Sequence, residues 1–265
     1  MNKTIHIPIM TEEIKNLLDC KKNDIILDGT LGFGGHASSL MPEIPEGLYI
    51  GLDQDPDAIQ YCKNKFLDIP QCQIIHKNFS EIDNALQEKN ITLCNKILVD
   101  LGMSSYHIDN SERGFSYLKN EPLDMRMNPT KNHQTAADIL NSYSPQALSD
   151  MFFYYGELRQ NKKLSQNICE IRKKNPISTT DDLINIIKKS YFFRNSRKAF
   201  ISTCAKTFQA IRIEVNQELD HLQTFLDKLP QCLKKEGRVA FLTFHSLEDR
   251  LIKKHFNQSD ELDRK

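Results

Sequence analysis

Leu27-Asp28-Gly29-Thr30-Leu31-Gly32-Phe33-Gly34-Gly35-His36 is the stretch on which the fold turns. Before it, Asp24 to Asp28 is a short apolar run of β-forming residues. After it, Gly35 to Met41 reads as a helix, so the glycines sit where a strand turns into a helix. Glycine at that turn lets the backbone pass close to a ligand. Gly32-x-Gly34 followed by Ala37 also satisfies a relaxed dinucleotide fingerprint, so the loop alone fits either a nicotinamide cofactor or S-adenosylmethionine. Asp28 favours the second: a carboxylate at the strand tip attracts the ammonium of a methionine moiety and repels a pyrophosphate.

Outward from this loop, apolar runs recur at Gly47 to Asp53, Gln73 to His76 and Lys96 to Leu101. Thr11 to Leu18, Asp57 to Phe66 and Ser80 to Glu88 read as helices. Strands alternating with helices mean parallel βαβ units and an α/β fold. From about Ser104 the alternation stops, and a loop-like stretch runs to Pro129. Ala136 to Asn141, Pro145 to Tyr155, Lys162 to Lys174 and Thr180 to Lys189 then read as helices without an intervening strand. A long amphipathic run, Phe208 to Leu233, leads to a further strand, Arg238 to Phe244, and a closing helix, Leu247 to Phe256. The expected architecture is a mostly parallel, doubly wound domain, 1–105 and 206–265, interrupted by an inserted helical domain, 106–205.

Composition narrows the class. Hydrophobic residues make up 39% of the chain and charged residues 26%, as in soluble globular proteins. No stretch approaches a membrane span, and the N-terminus lacks a secretory pattern, so a cytoplasmic location is expected. The seven cysteines are scattered singly, which predicts free thiols and no metal site. The formal net charge of zero conceals an asymmetry: residues 1–105 carry 9 basic and 15 acidic side chains, residues 106–205 carry 15 and 10. The inserted domain is the basic part.

Ligands of such sheets bind beyond the carboxyl ends of the strands. Asp53 ends the second strand, where an acidic side chain bridges ribose hydroxyls. Asn78-Phe79 follow the third, where a ring can pack on adenine. Asp100 ends the fourth, at the switch point. The bland alternatives are that Asp28 and Asp53 cap turns, that Phe79 is core, and that Asp100 bonds backbone amides. For the reaction itself, an exocyclic amine conjugated to a base ring is a poor nucleophile, and an acceptor for its hydrogens restores lone-pair character. Asp100 is the candidate acceptor; positioning does most of the rest, with neither a nucleophilic residue nor a metal.

Ten segments in order resemble one family, the bacterial small-subunit ribosomal-RNA cytosine-N4 methyltransferases of MraW type: His6-x-Pro8, DGTLGFGGH (28–36), DQDPDAI (53–59), NFS (78–80), DLGMSS (100–105), ERGFSY (112–117), PLDMRM (122–127), YGE (155–157), TFQAIRIEVNQEL (207–219) and FHSLEDR (244–250). The resemblance implies a Rossmann-like class I methyltransferase domain interrupted by a helical one, acting on a cytidine in the decoding centre of 16S ribosomal RNA within small ribosomal subunits. It implies cofactor contacts at Gly34, Gly35, His36, Asp53, Phe79 and Asp100, beside Asp28 and Gly32 of the loop. A further family contact, usually glutamine, falls on His107 here.

This chain departs from the pattern at Ser202 to Lys206, where the family shows a His-Pro-Ala-Thr-Arg-like approach. It also ends at Lys265, where the family continues to a basic segment resembling a final strand; a shortened or truncated member is expected. Candidate RNA contacts are Arg113 and Arg126 with Ser104, Tyr106, Phe115 and Tyr117, cations for phosphates and rings for stacking. Arg212, Asn216 and His245 are further candidates, with a buried structural pair as the bland reading of the first two. No membrane partner is expected, and a homodimer is compatible with the sequence. The competing functions are a non-catalytic, S-adenosylmethionine-binding ribosome-assembly factor and a nicotinamide-dependent oxidoreductase.

Overall fold

The computed structural model describes residues 8–194 and 196–263, with side chains to Asn257; His6 lies outside the described residues. The chain divides into two compact units, Met1–Gly102 with Leu219–Lys265, and Met103–Glu218.

The first unit is built on five parallel strands, β1 (Ile25–Asp28), β2 (Leu48–Asp53), β3 (Cys72–His76), β4 (Cys94–Asp100) and β5 (Leu233–Leu242), in the order β3-β2-β1-β4-β5. This is a Rossmann-like doubly wound sheet, the topology expected of a class I methyltransferase, with its switch point between β1 and β4. Alternation along the strands feeds two cores. Ile26, Tyr49, Leu98 and Ala240 join one face, with Ile14 and Leu18 of α1 (Thr11–Leu18) and Ala37 and Leu40 of α2 (Gly35–Leu40). Leu27, Ile50, Leu52, Ile97 and Val99 join the other, with Ile82 and Leu86 of α4 (Ile82–Glu88) and Leu222, Phe225 and Leu226 of α11 (Glu218–Cys232). Such two-sided burial explains why these strands read as continuous apolar runs. Helix α3 (Pro56–Lys65) starts cleanly because Asp55 accepts the Asp57 amide and Pro56 occupies the first turn.

The second unit is helical: α5 (Ser105–Asp109), α6 (Ala136–Ser142), α7 (Pro145–Tyr154), α8 (Asn161–Arg172), α9 (Thr180–Ser190) and α10 (Arg197–Asn216). Its core gathers Ile139, Leu148, Phe152, Leu164, Ile168, Leu183, Phe208 and Ile211. Thr135, Ser144, Thr179 and Ser196 cap four of these helices through their side-chain oxygens. The expected rejoining point at 205/206 falls inside α10. The run from Phe208 to Leu233 is two helices, because Gln217 adopts a left-handed conformation (φ 49°) that ends α10. β5 begins at Leu233, ahead of the expected Arg238, through an irregularity that pairs Leu233 with Cys94 and Arg238 with Lys96. The closing helix, α12, runs Ser246–Asp263.

Candidate active site

At the carboxyl rim of the sheet the glycine loop is held from three sides. Gly34 adopts φ 71°, and a Cβ there would lie 2.5 Å from the Phe66 ring, so a side chain is excluded both by conformation and by space. Lys65 Nζ donates to the carbonyls of Phe33 (3.1 Å) and Gly34 (3.0 Å). Asp53 accepts the Gly32 amide (2.7 Å) on one oxygen and the Asp55 amide (2.8 Å) on the other. Asp53 thereby braces the loop at the tip of β2. A Cβ at Gly35 would lie 3.1 Å from the Pro8 ring, tighter than ordinary contact.

Asp28 turns inward. Its carboxylate is 1% exposed and accepts from the Tyr49 hydroxyl (2.7 Å) and the Thr30 amide (3.0 Å). Burial pushes its pKa up to about 6, against the lowering effect of those two donors. The contact with a methionine ammonium expected from the sequence is not set up in this arrangement; Asp28 works as an internal brace. Tyr49 and Thr30 are the residues that sequence reasoning missed. Thr30 Oγ accepts the Asp100 amide at 2.6 Å, joining the β1 turn to the tip of β4. The available signal was Tyr49 itself, a phenol inside an apolar strand, which needs a buried partner.

The polar groups facing one another across the switch point are His36 and Asp100. His36 Nε2 stands 3.6 Å from Asp100 Oδ2. Both imidazole nitrogens of His36 and Asp100 Oδ1 are buried with no hydrogen-bond partner. Unsatisfied buried polar atoms are costly, and here they cluster at the strand ends where a ligand of this fold binds. Phe79 is buried in the core, edge-on to Phe225 with ring centroids 5.6 Å apart, which is its bland reading. Asn78, before it, accepts the Ser80 amide and donates to Gln54 Oε1 (2.8 Å), fixing the turn after β3. After β5, His245 Nε2 lies 3.2 Å from Glu248 Oε1, and Glu248 also accepts the Phe244 amide.

In the helical unit most of the candidate RNA groups have internal work. Ser104 and His107 form a reciprocal cap on α5, and the His107 ring lies 4.8 Å from Phe115, itself 4% exposed. Arg113 donates to the carbonyls of Arg126 (3.3 Å) and Met127 (3.2 Å). Arg126 pairs bidentately with Asp124 (2.8 and 2.6 Å), and Arg212 pairs in the same way with Glu218 (2.8 and 2.9 Å). Asn216, 1% exposed, accepts the Met127 amide (2.8 Å) and donates to the carbonyls of Met125 (2.8 Å) and Arg212 (2.9 Å). Both side chains are thus engaged within the helical unit. Tyr106 and Tyr117 are half-buried, the latter edge-on to Phe208. Among the described residues no helix is long and apolar enough to cross a membrane.

Comparison with known proteins gives the same direction. A curated relative from Clostridium botulinum (strain Loch Maree / Type A3), "Ribosomal RNA small subunit methyltransferase H", is 40% identical over 257 residues, covering 97% of this chain and 82% of its own length. Its namesake from Mycoplasma mobile is also 40% identical over 257 residues, with 97% and 83% covered. A solved rRNA methylase from Streptococcus thermophilus overlaps 40% of this chain and 61% of its own at 16% identity, with a TM-score of 0.30; the fold assignment rests on the strand order instead. The family model described as the MraW methylase family matches residues 3–264, so the chain belongs to the MraW methylase family.

Proposed function

We propose that this chain is an S-adenosylmethionine-dependent methyltransferase that methylates the exocyclic N4 amine of a cytidine in the decoding centre of 16S ribosomal RNA, acting on small ribosomal subunits. The observation that carries the reading is the pair His36 and Asp100, which holds three buried polar atoms without hydrogen-bond partners at the switch point of a methylase-family sheet. The class of RNA comes from the name borne by the curated relatives, and the cytidine N4 and its site from the ten-segment resemblance.

The residues at the rim fit the cofactor. The glycine loop leaves room beside the backbone of Gly32, Asp53 ends β2 where an acidic side chain bridges ribose hydroxyls, and His36 and Asp100 supply buried polar atoms without hydrogen-bond partners. When bound, S-adenosylmethionine supplies a methyl group activated by its positive sulfur. The chain's own task is to hold an amine in line with that group. Asp100 Oδ1 accepts one amine hydrogen, which returns lone-pair density to N4. Tyr49 and Thr30, through Asp28 and the Asp100 amide, position the two strand ends that carry this geometry. His107, the position the family resemblance gives to a cofactor contact, has its ring held by Ser104 and Phe115.

The helical unit is read as the substrate-recognition part, inserted between the two segments of the methyltransferase domain. In it Arg113, Arg126 and Asn216 act by shaping the loop from Arg113 to Asn132, while Arg212 pairs with Glu218. Ser104, Tyr106 and Tyr117 are the groups of this unit assigned to RNA; in the sheet unit the group assigned to RNA is His245.

The test is incorporation of labelled methyl from S-adenosylmethionine into small subunits that lack the modification, followed by nucleoside analysis. N4-methylated cytidine at a single position is the expected product. Cofactor binding with no methyl transfer to any ribosomal particle would replace this reading with a binding-only assembly factor.

A further inference from the structure

The turn between α9 and α10 carries charge that the proposed reaction does not use. From Leu183 to Ile213 the sequence holds seven basic side chains and no acidic one. Lys188, Lys189, Arg194, Arg197 and Lys198 are all exposed, and none of these five has a carboxylate partner among the described residues. Lys188 Nζ lies 5.7 Å from the Phe200 ring, which brings the end of α9 over the start of α10. Arg197 and Lys198 stand in the first turn of α10, which has no acidic residue, where the helix dipole disfavours cations. Helix stability therefore does not account for their position.

Among these cations Phe192 is 87% exposed. Its neighbours anchor the turn: Tyr191 and Phe193 pack against the helical core with ring centroids 5.9 Å apart, and Phe193 meets Phe200 edge-on at 5.3 Å. A ring held out from a fixed turn, flanked by unpaired cations, matches single-stranded nucleic acid, whose bases stack on aromatic faces while its phosphates take Lys and Arg.

We infer that the α9–α10 turn is a second RNA-binding surface, on which Phe192 stacks with an unpaired base while Lys188, Lys189, Arg194, Arg197 and Lys198 contact the flanking phosphates. The identity of that RNA as ribosomal rests on the proposed function. An anionic membrane would meet the same charge, but a single projecting ring buries little area in a bilayer, whereas it is sufficient for one stacked base.

The test uses the full chain with a labelled single-stranded oligoribonucleotide of ribosomal sequence, and small subunits in the methyl-transfer assay. Phe192→Ala is expected to weaken oligonucleotide binding by at least about fivefold, the lower end of what one stacked base contributes. The triple variant Arg194→Gln/Arg197→Gln/Lys198→Gln is expected to reduce the slope of log affinity against log salt by about 2, from roughly 0.7 per phosphate contact on a single strand. The double variant Arg194→Lys/Arg197→Lys should keep the slope. Thermal midpoint and S-adenosylmethionine affinity should match wild type in all three. Wild-type affinity and slope in the first two variants would overturn the inference. So would absence of oligonucleotide binding by the wild type, or loss of binding to phosphatidylglycerol vesicles with RNA binding intact. Ring- and charge-dependent RNA binding without methylation would sink the proposed function and leave this surface standing. Intact methylation with an unchanged subunit KM in the variants would do the reverse.

Discussion

At the rim of the sheet, His36 has both ring nitrogens buried without a hydrogen-bond partner and Asp100 has one such oxygen, whereas Asn216, in the helical unit, bonds Met127, Met125 and Arg212 with its side chain alone. Arg126 and Arg212 are likewise matched to carboxylates in bidentate pairs. Both regions are made of motif residues of similar chemistry, yet one is satisfied within the chain and the other is not. Satisfied groups fix shape. Unsatisfied ones keep hydrogen-bonding capacity for something that arrives. The comparison separates residues that build the molecule from residues poised to meet a ligand, and substitutions in the two classes should move stability and binding in opposite ways.

The largest effect is expected at Asn216. Asn216→Ala strands the buried amide of Met127 and carbonyl of Met125, at roughly 1–3 kcal/mol for each group, so a stability loss of about 3–5 kcal/mol should appear in urea unfolding. A loss below about 1 kcal/mol would show that the loop from Arg113 to Asn132 does not depend on this residue. Next comes Asp100→Asn, which alters an oxygen with no partner and should leave the unfolding midpoint nearly unchanged while lowering kcat by about 100-fold, the scale of one lost transition-state interaction. Equal activity in that variant would remove Asp100 from the reaction.

Asp28 sharpens the comparison because it is a rim residue that behaves like the satisfied class. Burial raises its carboxyl from 3.8 to about 6, so between those values the folded state holds a proton that the unfolded state releases. Its contribution to stability is therefore fully present below about 3.8 and is lost as pH rises through about 6. Relative to Asp28→Asn, the wild type should lose roughly 2–3 kcal/mol between pH 4 and pH 7, as a shift of about two units implies. Parallel stability curves for the two proteins would contradict the buried assignment. The smallest expected change is in the stability of His36→Leu, which removes two unpartnered nitrogens from a buried site and should be neutral or gain up to about 1 kcal/mol. Its affinity for S-adenosylmethionine should fall at the same time. A clear loss of stability would mean that the imidazole is structural.

The strand tips were legible because parallel strands buried on both faces print as apolar runs, and Asp28, Asp53 and Asp100 end β1, β2 and β4 as expected. The helical unit was less so. The first turns of α10, Arg197 to Thr203, are exposed or half-exposed, and their apolar residues Ala199, Phe200 and Ile201 are consecutive, so no apolar period announces them. Its end at Gln217 uses a left-handed residue that is not glycine, and α5 is only five residues long. β5 opens with Lys234, Lys235 and Glu236, which hide a strand. At the site, the types of residue were legible and their directions were not. Asp28 turns inward because Tyr49, on the neighbouring strand, reaches it, and Asn216 is spent on carbonyl and amide groups about ninety residues away in sequence. Such partners are set by register and packing, and periodicity carries no trace of them.

We propose the rim around His36 and Asp100 as the S-adenosylmethionine site. Calorimetric titration of the intact chain with S-adenosylmethionine, and separately with NAD, tests it most directly. Saturable one-to-one binding of S-adenosylmethionine, weakened in His36→Leu, and no binding of NAD are expected. Binding of NAD in preference, or S-adenosylmethionine affinity indifferent to both His36→Leu and Asp100→Asn, would contradict it.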